Sequence, residues 1–345
     1  MTQTMTARDR VMRALAGEKV TPVPCFSGVG NVTSAGLDKL GYRFANVHND
    51  AKMMAESAMT TYELFGYECV VMPFDLCLEA EIMGCKMNPY ADSSELLYPT
   101  IKEKSKPTTE QLRAMARDPE LTNKGRLPLM REALKIVRAK LGNQVAVGTY
   151  VLGPFTLGGQ VSELEHLLKN AFKKPDEMLE YLDAMADVII RIGGHLMESG
   201  YDYISVREMG ATTDVLSPRV FKKIIAPALT KVAKGLKGPR ILHICGQVGP
   251  IIADMAACGY DALSIDSKTD MKAAREAVGP GVVILGNFNP FAVLNTGDAK
   301  QAYDAIAQCV RSGVNGVHPG CDIWPTAKPE NIEAMMRAVR ETSAA

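Results

Sequence analysis

Along most of the chain, short apolar runs alternate with polar turns, and these lead into stretches whose apolar residues recur at helical spacing. The runs fall at residues 23–28, 67–73, 145–150, 203–208, 241–245, 262–266, 282–287 and 313–318. Helical spacing covers residues 7–15, where Val11, Met12 and Leu15 share a face, and the stretches near 50–65, 126–141, 250–258 and 299–312. Eight strands alternating with helices predict an α/β protein built as a single (βα)8 TIM barrel rather than an open sheet. The 7–15 helix precedes the first strand, so it reads as an N-terminal helical extension. After the second run the rhythm breaks into a turn-rich, charged stretch around Lys102 to Pro107. That long excursion is expected to cover one end of the fold, with residues 1–345 forming one domain.

A barrel of this kind gathers its reactive side chains where strands end and βα loops begin. The sequence obeys that rule: Asp75 follows the second run, Tyr150 ends the third, and Arg207 and Glu208 end the fourth. His243 and Cys245 end the fifth, Asp266 the sixth, Asn287 and Asn289 follow the seventh, and Cys321 follows the eighth. In Leu242-His243-Ile244-Cys245-Gly246, residues two apart point to one face of a strand, so His243 and Cys245 can grip one ion while Ile244 packs outward. Cys321 could supply a third ligand, with His318 as its competitor. An imidazole and two thiolates form a zinc-type set with a fourth position open for chemistry.

Composition narrows the function. The 39 basic and 39 acidic residues balance to zero, and no Lys/Arg run marks a nucleic-acid footprint. The first ten residues lack a signal-peptide apolar core and no stretch is apolar enough to span a bilayer, which predicts a soluble cytoplasmic protein. Eight cysteines in 345 residues are too sparse for a disulfide scaffold. Cys69, Cys258 and Cys309 lie in strand or helix patterns and read as core. Cys77 and Cys85 lack compact zinc spacing. Asp75 and Glu79 suit either an active site or a helix start.

Four segments, in order over nearly the whole chain, resemble the uroporphyrinogen decarboxylase superfamily: Val20-Thr21-Pro22-Val23-Pro24, Gly153-Pro154-Phe155-Thr156-Leu157, Leu216-Ser217-Pro218-Arg219-Val220-Phe221 and Leu285-Gly286-Asn287. His243-Ile244-Cys245-Gly246, Glu79-Ala80-Glu81 with Gly84-Cys85, and Pro319-Gly320-Cys321 are similar to its methylcobamide:coenzyme M methyltransferase branch. The resemblance implies a zinc held by His243, Cys245 and Cys321. It also implies methyl transfer from a methyl-Co(III) corrinoid, methylcobalamin bound to a separate corrinoid protein, to a thiol such as coenzyme M. Within that scheme Asp75, Glu208 and Asp266 are the candidate catalytic carboxylates, and Tyr150 and Asn287 are candidates to line the corrinoid. Asp75, Glu208, Asp266 and Asn287 are also the candidates to orient His243.

Two departures keep alternatives open. Val206-Arg207-Glu208-Met209-Gly210 replaces the acidic-Pro pattern of that branch, so a pterin acceptor such as tetrahydrofolate stands beside the thiol. Asp75 matches the acidic position of the decarboxylases, which allows a metal-free lyase. Residues 24–31 carry no Arg or Lys to pair with a polycarboxylate substrate, however.

Overall fold

The computed structural model describes residues 5–343. Residues 1–4 and 344–345 of the predicted domain span lie outside that range. The sheet that organises the chain has seven parallel strands in sequential order: β1 (Cys69–Val71), β4 (Ala146–Leu152), β5 (Tyr203–Arg207), β6 (Arg240–Ile244), β7 (Ala262–Ile265), β8 (Val283–Phe288) and β9 (Gly316–Pro319). β2 (Lys86–Asn88) and β3 (Thr100–Glu103) form a separate antiparallel pair. Seven of the eight expected strands are therefore present. The first, expected over residues 23–28, shrinks to a single bridge between Cys25 and Val317. Pro22 and Pro24 have no N–H to give a ladder, which explains the loss. The segment still joins the two edges of the sheet. Phe26 N–H donates to Val317 O, Val317 N–H to Pro24 O, and Glu68 N–H to Cys25 O.

Alternation along the strands sorts the two faces. Val151 and Ile204 lie against Gly193 of the helix Pro175–Glu198, so their strand neighbours Tyr150, Tyr203, Ser205 and Arg207 turn inward. Gly148 is required beside them, because a Cβ there would stand 2.3 Å from the Tyr203 ring. The Tyr203 hydroxyl crosses to donate to Ser27 O. The register then aligns inner residues from strand to strand: Arg207 opposite His243, and His243 opposite Ser264. One layer of the interior is thus polar and sits near the C-terminal ends of the strands.

The helix Ala7–Leu15 forms as predicted, started by a Thr6–Asp9 capping box. It lies at the opposite end: Arg8 N–H donates to Gln144 O, and Arg8 Nε is 2.9 Å from Asp202 Oδ1, both just before strands begin. Helices Ala51–Phe65, Leu127–Leu141 and Ala299–Arg311 also match their expected spans within a residue. The excursion after β1 contains the short helix Leu78–Ile82, the β2–β3 hairpin and the helix Thr109–Arg117. Among the described residues no helix is long and apolar enough to cross a membrane.

Candidate active site at the C-terminal ends of the strands

His243 ends an inner row of β6 and is completely buried. Its Nδ1 lies 2.9 Å from Ser264 Oγ, while its Nε2 has no partner among the described residues. Burial, reinforced by Arg207 and His318, holds its pKa well below the ordinary value, so the ring is neutral. A neutral imidazole with a free nitrogen is the form that ligates a metal. Two residues on, Cys245 is half-buried, and so is Cys321 just beyond β9. Their mutual influence lowers the pKa of Cys245 and raises that of Cys321. Gly246 makes the turn possible with φ +84°, and a Cβ there would meet Thr212 Oγ1 at 2.6 Å.

The competitor His318 is excluded as a ligand by its hydrogen bonds. Its Nε2 accepts from Gly28 N–H at 2.7 Å, and its Nδ1 lies 2.6 Å from Pro319 O. Burial pushes its pKa down to about 4. The donor types that remain, an imidazole nitrogen and two thiols, are those a zinc ion takes. In their present positions no three His, Cys, Asp or Glu side chains among the described residues form a closed metal cluster.

The other predicted site residues are placed less centrally. Asp75 is buried at the end of β1, paired to Arg126 through both oxygens at 2.7 and 2.9 Å, and 3.0 Å from His48 Nδ1. Burial alone would raise its pKa, but Arg126 and His48 outweigh that and hold it well below the usual carboxylate range. Glu208 turns into the wall. Its carboxylate accepts from Phe155 N–H at 2.9 Å and Thr156 N–H at 2.7 Å, capping the helix Pro154–Val161 from outside its own sequence. Asp266 Oδ2 accepts from Gly246 N–H at 3.0 Å and so fixes the turn that follows Cys245.

Tyr150 is buried, its hydroxyl donating to Asp75 O at 2.6 Å and its ring 4.9 Å from the Arg207 guanidinium carbon. Asn287 donates to Thr269 O at 2.8 Å. The expectation that Asp75, Glu208, Asp266 or Asn287 orients His243 is corrected: Ser264 does so, because the β6–β7 register sets it directly opposite. A serine inside the apolar run Ala262-Leu263-Ser264-Ile265 was the available signal.

The excursion expected to cover one end of the fold borders this end of the sheet. A cavity of about 420 Å³ opens between the end of β1 and the β3 side of the excursion, lined among others by Asp75, Tyr98, Lys104, Gln160 and Asp322. Asp322, next to Cys321, binds Arg207 Nη2 at 2.9 Å.

A curled parallel sheet with His, Cys and Arg side chains at its C-terminal end defines a TIM-barrel-like enzyme scaffold with a thiol-rich site. The chain belongs to the uroporphyrinogen decarboxylase (URO-D) family, whose pattern matches residues 6–342. It is 31% identical over 339 residues to the methylcobamide:CoM methyltransferase MtaA of Methanosarcina barkeri, covering 96% of this chain and 97% of that protein. It is 26% identical over 369 residues to the uroporphyrinogen decarboxylase of Idiomarina loihiensis, covering 100% and 99%. A solved methyltransferase from Methanosarcina mazei superposes with a TM-score of 0.90 at 30% identity, covering 98% of this chain and 99% of that one. These similarities place the chain in the methyltransferase branch of the family, as its motifs predicted.

Proposed function

We propose that the protein moves a methyl group from a methyl-Co(III) corrinoid, presented by a separate corrinoid protein, to a thiol, with coenzyme M as the acceptor and zinc held by His243, Cys245 and Cys321. The observation that carries this is the buried His243 imidazole, whose Nδ1 is met by Ser264 while no described residue meets its Nε2, two residues before the thiol of Cys245. Zinc bound there would lower the pKa of an acceptor thiol and so supply a thiolate at neutral pH. Around it, Ser264 would fix the imidazole, and Asp266 would fix the backbone after Cys245. The acceptor sulfur then attacks the methyl carbon: the S–C bond forms, the Co–C bond breaks, and its electron pair stays on cobalt as Co(I). The thiol proton leaves to solvent. The whole chain would act as one (βα)8 barrel, with Pro24–Phe26 standing in for the first strand.

The test follows cobalamin absorbance while the purified protein receives methylcobalamin with coenzyme M or with tetrahydrofolate. Conversion to Co(I) with coenzyme M alone is expected, together with near-stoichiometric zinc that is lost in Cys321→Ala. Turnover with tetrahydrofolate alone would replace the acceptor. No turnover together with no zinc would overturn the proposal in favour of a metal-free lyase.

A further inference from the structure

Arg207 is the largest fully buried side chain of the protein, and most of its hydrogen-bonding capacity is unused. Nη2 reaches Asp322 Oδ2, but among the described residues Nε and Nη1 have no partner, and neither does Asp322 Oδ1. A buried guanidinium with two nitrogens that no protein group meets is costly unless another ligand meets them. The surroundings give it position without satisfying it. The Tyr150 ring packs on the guanidinium at 4.9 Å, Asp322 holds one corner, and Asp322 itself lines the 420 Å³ cavity.

The location matters as much as the unmet donors. Arg207 pairs in register with His243, so it stands one strand away, roughly 4.8 Å by ordinary strand spacing, from the row that carries the imidazole. Its partner Asp322 directly follows Cys321 in the chain, which ties the guanidinium to the thiol end of the site. A ligand whose sulfur lies among the thiols would therefore bring a group two or three carbons further along to the guanidinium. Planar, multi-donor Arg suits an oxyanion there better than any neutral group.

We propose that Arg207 is the anion-recognition residue of the acceptor site, binding the sulfonate or carboxylate of a small thiol whose sulfur lies at the Cys245–Cys321 end. This rests on the methyl-transfer reading for the role of the thiol, but the anion subsite is a property of Arg207 itself. It makes short anionic thiols the substrate class and disfavours neutral ones.

The experiment separates the two ideas by using probes without sulfur nucleophiles. Ethanesulfonate, propionate and the neutral control 1-propanol are titrated into the purified full-length protein, followed by calorimetry and thermal shift. One or both anions should bind and 1-propanol should not, and the tighter anion identifies the natural group. Arg207→Gln should weaken the anion by about 10- to 100-fold, the range of a lost charge-assisted hydrogen bond. Asp322→Asn, which removes the competing carboxylate and leaves the barrel strand intact, should tighten it several-fold. That second variant decides the matter if Arg207→Gln does not fold.

Equal binding of the anions to wild type and Arg207→Gln, no anion binding to wild type, or an unchanged Kd in Asp322→Asn would overturn the proposal. In turnover, the KM for mercaptoethanesulfonate should rise in Arg207→Gln while that for 2-mercaptoethanol stays level. Arg207-dependent anion binding without demethylation by any thiol would keep the subsite and discard methyl transfer. Demethylation with no anion binding would do the reverse.

Discussion

Ser264 Oγ lies 2.9 Å from His243 Nδ1, and the two residues face each other in the β6–β7 register. The same hydroxyl is 3.1 Å from His318 Nδ1. His318 must carry its proton on Nδ1, because its Nε2 accepts from Gly28 N–H. When His243 donates Nδ1–H to Ser264, its Nε2 lone pair is free for a metal. Removing the hydroxyl releases the ring to rotate or change tautomer. Ser264→Ala should therefore weaken zinc binding by about 10- to 100-fold, the usual cost of losing a partner of a ligating histidine. Competition with a chelator of known affinity measures it, and unchanged affinity would remove Ser264 from the site.

The Asp75–Arg126–His48 cluster makes a separate prediction about stability. Arg126 also reaches Glu81 Oε2 at 2.7 Å and His48 O at 3.2 Å, so one guanidinium ties the end of β1 to the excursion. Arg126→Met leaves Asp75 buried without its main partner, and should cost about 3–5 kcal/mol in denaturant unfolding. The pH dependence has a definite sign. The Asp75 pKa is depressed in the folded protein, so its contribution is fully present above the unfolded value, about 3.9, and is lost as pH falls below that toward the folded one. Wild-type stability should drop in that acid range by more than that of Asp75→Asn.

Much of the parallel sheet was legible because apolar runs such as Val145-Ala146-Val147 and Ile241-Leu242, bounded by turns and too short for helices, fit buried parallel strands. The eighth run was read three residues early. Its Gly313-Val314-Asn315 portion forms the entry turn, where Asn315 Oδ1 accepts from Ile284 N–H and Arg275. The β2–β3 pair stayed hidden because three- and four-residue strands on an exposed edge carry no burial pattern. At the site, the residue types at strand ends were readable, since two-residue alternation is local. Which of them touch was not, because Ser264 meets His243 and Asp322 meets Arg207 only through cross-strand register and the final turn.

Glu79 offers a second pH test with the opposite sign. It is buried, accepts from Leu152 N–H at 2.6 Å through Oε1, and has no partner on Oε2 among the described residues. Burial pushes its carboxyl up to about 7; nearby Asp75 adds to the rise and Arg207 opposes it. Between the unfolded value, about 4.3, and the folded one, the native state holds a proton that the unfolded chain lacks. Stability from this group therefore falls as pH rises through that window, by at most about 1.4 kcal/mol per pH unit. Unfolding free energy of wild type minus that of Glu79→Gln should decline over that range and level off above it. A flat difference would mean that Glu79 is ionised when folded.

Glu208 separates a structural carboxylate from a catalytic one. Its oxygens accept from Phe155 N–H, Thr156 N–H and Thr156 Oγ1, which bonds at 2.5 Å, so it satisfies the start of the helix Pro154–Val161. Gly153 leaves the room it needs, since a Cβ there would lie 2.6 Å from Glu208 Oε2. Glu208→Ala strands buried donors and should destabilise the fold by about 1–3 kcal/mol. Glu208→Gln keeps one acceptor oxygen and should recover part of that. Zinc content and kcat should stay within a few-fold of wild type in both, measured well below the unfolding temperature. A Gln variant of near-normal stability but strongly reduced kcat would instead make the Glu208 carboxylate part of the chemistry.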